Sequence, residues 1–322
     1  MAVYTEVSRD QADALLRHLG LGALTDLQGI RSGIENTNYY ASTARGQWVL
    51  TLFERLSAAE LPYCLQLMQH LAAMGIPVPA PQASADGSLV HTLAGKPAAV
   101  VTRLPGSHRL RPAVTHCTQV GHMLARMHVA AASLRLQQPH LRGLDWWTQT
   151  TPVVRPHVNA EQAALLDEEL RFQQQLAASP AGQALPHGPI HADLFRDNVM
   201  FDDTAGGDRL CGLFDFYFAG TDRLLFDVAV CLNDWCSDPS SGQLDEAQAS
   251  AFMAAYHHVR PLSHGEVRAL PALLRAAALR FWISRLWDWH LPRSASLLQA
   301  KDPAHFERVL RARIHQPWHP SV

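Results

Sequence analysis

The chain has 322 residues, 48% of them hydrophobic, which is enough for two compact units that each have a packed core. A formal net charge of −2 provides no basic surface for nucleic acid or for an anionic membrane, so we expect a nucleotide to bind only at a local site. The five cysteines are odd in number and lack paired metal spacing, which favours free thiols in a reducing cytoplasm. The sequence predicts neither a secretory signal nor an apolar run long enough to cross a bilayer.

In the N-terminal part of the chain, strand-like runs separated by turns dominate the pattern. A helix with Ser8 as its candidate N-cap precedes the strands, and a second helix is predicted over residues 60–74. The predicted strands are residues 27–30, 39–43, 47–53, 89–93 and 98–104. Helices dominate afterwards, so we predict an N-terminal domain at residues 1–104 and a C-terminal domain at residues 105–322.

A loop that contains glycine and asparagine joins the first two predicted strands. Gly33, Asn36 and Thr37 lie in this loop, and free backbone N–H groups in such a loop can bind the phosphates of a nucleotide. We therefore predict these residues as nucleotide-binding. The signal is not specific by itself, because many loops of this composition only connect two strands.

The C-terminal part of the chain has mostly the apolar spacing of helices. The predicted helices are residues 115–128, 161–178, 227–235, 246–258 and 271–289. The last of these helices places Arg285 and Asp288 on one side, about one turn apart.

Residues 190–216 carry the clearest chemical signal. His191, Asp193 and Asn198 lie within eight positions, and Asp215 follows a second apolar run, seventeen residues after Asn198. This spacing suits one free carboxylate as a base, with one carboxylate and one amide oxygen as ligands of a hard cation such as Mg2+. Phosphoryl transfer uses such groups, because the protein mainly positions the reactants and offsets charge.

The same stretch has a simpler interpretation as a polar hairpin. Asp193 and Asn198 would then be turn residues whose side chains bond to their own backbone. That interpretation does not explain the second acidic strand end at Asp215, so we favour the chemical one. His191 closes the first strand, and we predict that it orients the loop through a backbone hydrogen bond.

The element His-x-Asp-x4-Asn at residues 191–198 resembles that of the aminoglycoside phosphotransferase and choline kinase superfamily, whose members are relatives of protein kinases. Other segments are similar to its ATP-dependent homoserine kinase branch, which acts in bacterial threonine biosynthesis. These segments are residues 32–39, 49–54, 215–219, 231–236 and 278–281. The resemblance implies an α+β, bilobal, protein-kinase-like fold with a small five-stranded antiparallel β N-lobe and a larger, mostly helical C-lobe. It also implies ATP and Mg2+ as cofactors.

The resemblance also implies roles for individual residues. Asp193 matches the catalytic base, and Asn198 and Asp215 match the magnesium ligands. Residues 33–37 match the nucleotide loop, and Asp227 is expected to fix the loop after the metal site as a cap or a buried acceptor. The implied hinge that faces adenine consists of Val101, Thr102, Arg103 and Leu104.

One position departs from the superfamily. Most members have a lysine or arginine on the third strand that binds the α- and β-phosphates, whereas this chain has Thr51. The homoserine kinase branch also tends to lack that lysine, so the departure agrees with the branch. Arg31 and Arg55 are the alternative sources of positive charge, and the sequence leaves the choice between them open.

The resemblance points to L-homoserine as the acceptor, so the pocket must bind a carboxylate and an ammonium group. An arginine can bind both oxygens of a carboxylate, which makes Arg285 with Asp288 the candidate pair for the two ends of this substrate. The alternative is an ordinary ion pair on one helix face. Tyr217 and Asp234 are further candidates for the substrate pocket.

Two other kinds of function stay open at this point. The same fold would serve choline, ethanolamine, methylthioribose or an aminoglycoside as acceptor, and the tryptophans prevent an exclusion of choline on composition. A catalytically inactive nucleotide-binding regulator is suggested only by Thr51, and the intact set of acidic and amide residues weighs against it. In each case we expect a small-molecule ligand and no nucleic-acid or membrane partner.

Overall fold

The computed structural model describes residues 5–30, 36–291 and 300–321, which form two compact units. Unit 1 is Met1–Pro105 with Gly212–Tyr217, and unit 2 is Gly106–Cys211 with Phe218–Val322. Within the described ranges, no helix has both the length and the apolar character needed to cross a bilayer. The α+β fold class predicted from the sequence is confirmed, because an antiparallel sheet is combined with many helices.

Unit 1 is built on a five-stranded antiparallel sheet. Its elements are α1 (Arg9–His18), β1 (Leu24–Gly29), β2 (Asn36–Thr43), β3 (Gly46–Phe53), α2 (Leu61–Ala73), β4 (His91–Leu93) and β5 (Lys96–Thr102). The strands lie in the order β1-β2-β3-β5-β4, so β3 is central. All five predicted strands are present. β2 begins earlier than predicted because Asn36 and Thr37 pair in register with Phe53 and Leu52.

The core of unit 1 includes α1 and the sheet. The Ser8 side chain accepts a hydrogen bond from Gln11 N, and the Gln11 side chain accepts one from Ser8 N at 3.0 Å. This capping box satisfies N–H groups that a helix start otherwise leaves unpaired. The helix then buries Leu15 and Leu16 in one cluster with Leu50 of β3.

Unit 2 is mostly helical and contains two short pairs of strands. Its elements are α3 (Val114–Ala131), α4 (Leu144–Val154), α5 (Ala160–Ala178), α6 (Pro180–Gln183), β6 (His187–Ile190), β7 (Val199–Thr204), β8 (Gly207–Leu213), β9 (Gly220–Arg223), α7 (Leu224–Trp235), α8 (Glu246–Val259), α9 (His264–His290) and α10 (Ala304–His315). β6 pairs with β9, and β7 pairs with β8, whose last two residues, Gly212 and Leu213, belong to unit 1. The largely buried helices α7 and α9 pack against each other, and α7 also contacts β6.

Several helices differ from the sequence-based prediction, and the short helix α6 is one that it lacks. α9 begins at His264 and not at Pro271, because Ser263 and Glu266 form a capping box that starts it earlier. α4 was not predicted, and Pro152 lies inside it, where proline normally argues against a helix. α10 was also missed, although its buried residues have helical spacing.

Gly121 of α3 lies against the backbone of α8. A Cβ atom at this position would be 2.3 Å from Phe252 O, too close for any real contact. We expect Gly121→Ala to lower the free energy of unfolding by about 1–3 kcal/mol, the usual cost of overpacking. Urea unfolding measures this change.

Gly265→Ala is the matched control, because the nearest atom to an added Cβ there would be Ser263 Oγ at 3.7 Å. Alanine at an open helix position should raise the free energy of unfolding by up to about 1 kcal/mol. Two variants of equal stability would contradict the close approach of α3 and α8.

Candidate active site

The loop after β6 begins with an uncommon backbone conformation. Ala192 has a φ of 66°, in the left-handed region that residues other than glycine rarely adopt. Two successive N–H groups thereby point at one carboxylate, since His191 N and Ala192 N each donate to Asp227 at 2.8 Å. His191 Nδ1 also accepts a hydrogen bond from Asp193 N at 3.3 Å. These contacts fix the start of the loop against α7.

Asp227 is the buried anchor of this loop. It lies in the first turn of α7, is 0% exposed, and is also 3.1 Å from His128 Nε2. Burial by itself would raise the pKa of Asp227, but the hydrogen bond and charge of His128, with the N–H of His191, hold that pKa below its ordinary value. Asp227 is therefore ionised at neutral pH, and its donors share the charge.

α7 holds the same loop at two further points. Trp235 Nε1 donates to Leu194 O at 3.0 Å, and Arg196 N donates to Asp234 Oδ2 at 2.7 Å. The Arg196 side chain bonds to the same oxygen at 3.1 Å. Burial raises the pKa of Asp234, and Arg196 opposes that rise. The Asp234 carboxylate is thus bound to the loop, and its predicted contact with substrate stays a prediction.

Asp193 and Asn198 lie in contact within the loop. Asn198 Nδ2 donates to Asp193 O at 2.8 Å and lies 3.5 Å from Asp193 Oδ2. Asn198 ends a short 3-10 turn and is 8% exposed, whereas the Asp193 side chain is 17% exposed. Because the Asn198 amide nitrogen faces Asp193, its Oδ1 atom is the one able to bind a cation. The pair therefore offers a carboxylate that a small molecule can reach and an amide oxygen ligand.

A buried arginine of α9 lies beside Asp193. Arg280 Nη1 is 4.0 Å from Asp193 Oδ1, and the Arg280 side chain is 3% exposed. Its guanidinium carbon lies 3.8 Å from the ring centroid of Phe281 and 5.2 Å from that of Phe218. The sequence signal for Arg280 is a single charge within the otherwise apolar residues 276–283; residues 278–281 contributed to the family resemblance, but no role was predicted for Arg280 itself.

Asp215, the other predicted cation ligand, belongs to unit 1. It follows the end of β8 and has a φ of 67°, again in the left-handed region. A residue other than glycine keeps such a backbone only where the surrounding structure determines it. Leu213 N donates to Pro77 O at 2.8 Å, which holds the preceding strand end. The backbone that leads into Asp215 is therefore held within unit 1.

A neutral hydrogen-bond network occupies the position of the missing strand lysine. Thr51 Oγ1 donates to Asn38 Oδ1 at 2.7 Å, and Thr51 is hydrogen-bonded to the hydroxyl of Tyr217. Burial raises the pKa of Tyr217, so this hydroxyl stays protonated. The Tyr217 ring meets Phe53 edge-on, with centroids 4.9 Å apart. Arg31, one of the alternative charges, lies outside the described residues.

The lysine of unit 1 is bound to a carboxylate. Lys96 Nζ is 2.6 Å from Glu54 Oε2, and Thr37 Oγ1 donates to Glu54 Oε1 at 2.7 Å. Thr37 and Asn36 are buried at the start of β2, and Gly33 lies outside the described residues. The nucleotide-binding roles of Gly33, Asn36 and Thr37 stay predictions.

The residues predicted to face adenine lie at the end of β5. Ala80 N donates to Thr102 Oγ1 at 2.8 Å, and Thr102 N donates to Ala80 O at 3.1 Å. Arg103 N donates to Gln47 O at 3.1 Å, and its guanidinium carbon lies 4.0 Å from the ring centroid of Tyr40. This backbone is therefore fixed within unit 1. The contact with adenine stays a prediction for Val101, Thr102, Arg103 and Leu104.

Arg285 and Asp288 lie near the C-terminal end of α9. Arg285 Nη1 donates to Asp302 O at 3.1 Å, and its guanidinium carbon lies 4.4 Å from the ring centroid of Phe306. Burial lowers the pKa of Arg285 to about 10. The negative charges of nearby carboxylates, of which Asp234 has the largest effect, oppose that change. Asp288 is exposed. Substrate binding by Arg285 and Asp288 stays a prediction.

The sequence and the fold of this chain are similar to those of known phosphotransferases. The sequence profile of the "Phosphotransferase enzyme family" matches residues 26–262. The chain is 57% identical over 318 residues to a homoserine kinase of Polaromonas naphthalenivorans (strain CJ2), with 99% of each chain covered. It is 52% identical over 318 residues to a homoserine kinase of Cupriavidus pinatubonensis (strain JMP 134 / LMG 1197), with 98% of this chain and 96% of that kinase covered. A solved amicoumacin kinase in complex with AMP-PNP and Ca2+ has the same fold, at a TM-score of 0.65 and 17% identity over 90% of this chain and 87% of that one.

Proposed function

Because the chain belongs to the phosphotransferase enzyme family, we propose that it is a homoserine kinase, which transfers the γ-phosphoryl group of ATP to the side-chain hydroxyl of L-homoserine. The observation that carries this proposal is the 57% identity with a homoserine kinase over 99% of both chains. Identity of this degree along the whole chain supports a shared acceptor as well as a shared fold.

Asp193 is the proposed base. Its carboxylate is 17% exposed, so an acceptor hydroxyl can reach it, and Asn198 Nδ2 lies 3.5 Å from Oδ2. His191 and Asp227 are the proposed orienting residues, since their contacts fix the backbone that precedes Asp193. With the hydroxyl held at Asp193, its proton passes to the carboxylate as its oxygen attacks the γ-phosphorus in line. The bond from that phosphorus to the β–γ bridging oxygen breaks, and ADP leaves with the electron pair. No covalent enzyme intermediate is required, because positioning and charge compensation supply the catalysis.

Asn198 and Asp215 are the proposed ligands of Mg2+. They offer an amide oxygen and a carboxylate, which are the hard oxygen ligands that Mg2+ prefers. In the part of the chain that the structure describes, no group of three or more His, Cys, Asp or Glu residues is placed to hold a metal ion. A small protein ligand set fits Mg2+, because this ion usually keeps waters and takes phosphate oxygens. When bound, Mg2+ supplies positive charge that offsets the charge of the β- and γ-phosphates.

The proposed phosphate contacts do not include a strand lysine. Thr51 is part of a neutral network, and Lys96 is bound to Glu54 at 2.6 Å. We therefore propose that the phosphate charge is compensated by Mg2+ and by backbone N–H groups at Gly33 and at the adjoining start of β2, Asn36 and Thr37.

A coupled ADP-release assay with several acceptors tests the proposal. We expect kcat/KM for L-homoserine to exceed the values for choline, ethanolamine, methylthioribose and an aminoglycoside by about 100-fold or more, because a site built to bind polar groups rejects ligands that lack them. The Asp193→Asn protein, purified in the same way, is the control for contaminating kinases. Preference for another acceptor would overturn the assignment to homoserine. A protein that binds ATP but forms no ADP with any of the acceptors would favour the inactive regulator.

A further inference from the structure

Given the proposed function, on which this inference rests, we propose that Arg280 binds the carboxylate of the acceptor. The chain would thereby select amino-acid alcohols over amino alcohols that lack a carboxylate. Arg280 is the arginine that α9 places beside Asp193, with Nη1 4.0 Å from Oδ1. The substrate carboxylate and the reacting hydroxyl are thus bound by neighbouring residues of unit 2.

The local charges favour this role. An acceptor that presents its hydroxyl to Asp193 brings its own carboxylate close to the Asp193 carboxylate. Two carboxylates in a partly buried site repel each other, which weakens acceptor binding. A cation beside both carboxylates offsets that repulsion. The Arg280 guanidinium is placed to offset the charges of the Asp193 and acceptor carboxylates. It is already close to Asp193, with Nη1 4.0 Å from Oδ1, and the acceptor carboxylate would lie beside it.

The distances suit a molecule of this size. The 4.0 Å between Arg280 Nη1 and Asp193 Oδ1 exceeds the length of a hydrogen bond, about 2.9 Å. In extended homoserine the hydroxyl oxygen and the farther carboxylate oxygen are five bonds and about 6 Å apart, since bonds of about 1.5 Å in a zigzag chain advance about 1.25 Å each. Such a molecule can donate its hydroxyl to Asp193 while the planar guanidinium binds both carboxylate oxygens.

Arg280 is also held in place before any acceptor binds. Its guanidinium carbon lies 3.8 Å from the Phe281 ring centroid, and the Phe281 ring packs on Phe195 of the catalytic loop with centroids 4.5 Å apart. The guanidinium and the loop therefore share one aromatic cluster. Because Arg280 is only 3% exposed, water competes weakly for its N–H groups, which strengthens a charge-assisted hydrogen bond. A fixed side chain also loses little freedom on binding.

Arg285 is the competing candidate on the same helix. Its Nη1 atom donates to Asp302 O at 3.1 Å, and its guanidinium carbon lies over the ring of Phe306. These contacts join α9 to the residues at the start of α10. The ion pair of Arg280, in contrast, is with Asp193 itself.

The test compares two acceptors that differ only in the carboxylate, L-homoserine and 3-amino-1-propanol. We expect Arg280→Met to lower kcat/KM for L-homoserine by about 100-fold, within the range for lost hydrogen bonds to a charged group. Arg280→Lys keeps the charge but loses the planar fork, so we expect a loss of about 10-fold. The constants for 3-amino-1-propanol and the KM for ATP should change little. If the wild-type enzyme turns 3-amino-1-propanol over too slowly, its inhibition constant against L-homoserine replaces kcat/KM.

Arg275→Lys is the matched control on α9. Arg275 is paired with Glu169 at 2.5 Å, and lysine keeps that charge, so both acceptors should retain their constants. Arg285→Lys measures the competing candidate, and a larger effect there than in Arg280→Lys would overturn the proposal. Equal losses for both acceptors, with a shifted pH profile of kcat/KM, would make Arg280 a positioning residue for Asp193 and would also overturn it. A wild-type protein that does not phosphorylate L-homoserine contradicts the proposed function before any variant is compared.

Discussion

Asp193→Asn is expected to lower kcat by about 10²–10⁴-fold, the contribution of a positioned general base. Asparagine has the size of aspartate, and the bond from Asn198 Nδ2 to the backbone oxygen at 2.8 Å does not involve the altered group. The loop should therefore keep its conformation and the affinity for ATP should change little. ADP-release kinetics measure kcat, and calorimetric titration with a non-hydrolysable ATP analogue measures nucleotide affinity.

Asp197→Asn is the matched control in the same loop. The Asp197 carboxylate is 47% exposed and is paired at 3.2 Å with Lys301, which is 50% exposed. Exposed ion pairs of this kind contribute about 0–1 kcal/mol, so this variant should keep a rate close to that of the wild type. If Asp193→Asn kept a rate similar to Asp197→Asn, Asp193 would not be the base.

Asp227→Asn is expected to lower the free energy of unfolding by about 3–5 kcal/mol at neutral pH, the cost of breaking a buried charged network. Asp227 accepts hydrogen bonds from His191 N and Ala192 N and bonds to His128 Nε2. Asparagine replaces one acceptor oxygen with an NH2 group, which would face another donor. Urea unfolding measures the loss, and kcat should fall as well because the loop loses its fixed start.

The pH dependence of stability gives a second measurement on Asp227. Its folded-state pKa lies below the ordinary value, so the folded protein binds this proton less tightly than the unfolded chain does. The stability contributed by ionised Asp227 is therefore complete above the unfolded pKa of about 3.9 and is lost as pH falls through the lower folded value. The difference in stability between the wild type and Asp227→Asn should be constant near neutrality and should shrink in acid.

Asp245→Asn is the control for this substitution. Asp245 caps α8 by accepting a hydrogen bond from Gln248 N at 2.9 Å, and asparagine is about as good an N-cap. The change in free energy of unfolding at neutral pH should be small. If Asp227→Asn were as stable as Asp245→Asn, the buried carboxylate would not anchor the loop.

Short-range spacing accounts for one contact of the candidate site. Asp193 and Asn198 are in contact, because a loop with one 3-10 turn brings residues at that separation together. The five strands of the N-terminal sheet were also predictable, because short runs rich in strand-forming residues are separated there by turns that contain glycine or proline. The family resemblance is confirmed by the match to residues 26–262.

Long-range contacts could not be predicted in the same way. Arg280 meets Asp193 only because α9 packs beside the catalytic loop, and helical periodicity does not say which buried side chain meets which loop. The early start of α9 depends on the capping box at Ser263, a local signal that Pro271 obscured. α4 forms despite Pro152, so the tertiary contacts of this helix outweigh the low intrinsic helix propensity of proline.

Four hydrogen bonds between α7 and the catalytic loop end on main-chain atoms of that loop, whereas the bonds of the Arg196 side chain to Asp234 do not. These four bonds join Asp227 to His191 N and Ala192 N, Trp235 to Leu194 O, and Asp234 to Arg196 N. A bond to a main-chain atom forms whatever side chain its residue carries, whereas the partner on α7 must keep its own carboxylate or indole. For these four bonds, a substitution in the loop leaves the bonded main-chain atom in place, whereas a substitution of Asp227, Asp234 or Trp235 removes the bonded group. Selection should therefore tolerate side-chain changes in the loop more readily than changes at these three positions of α7.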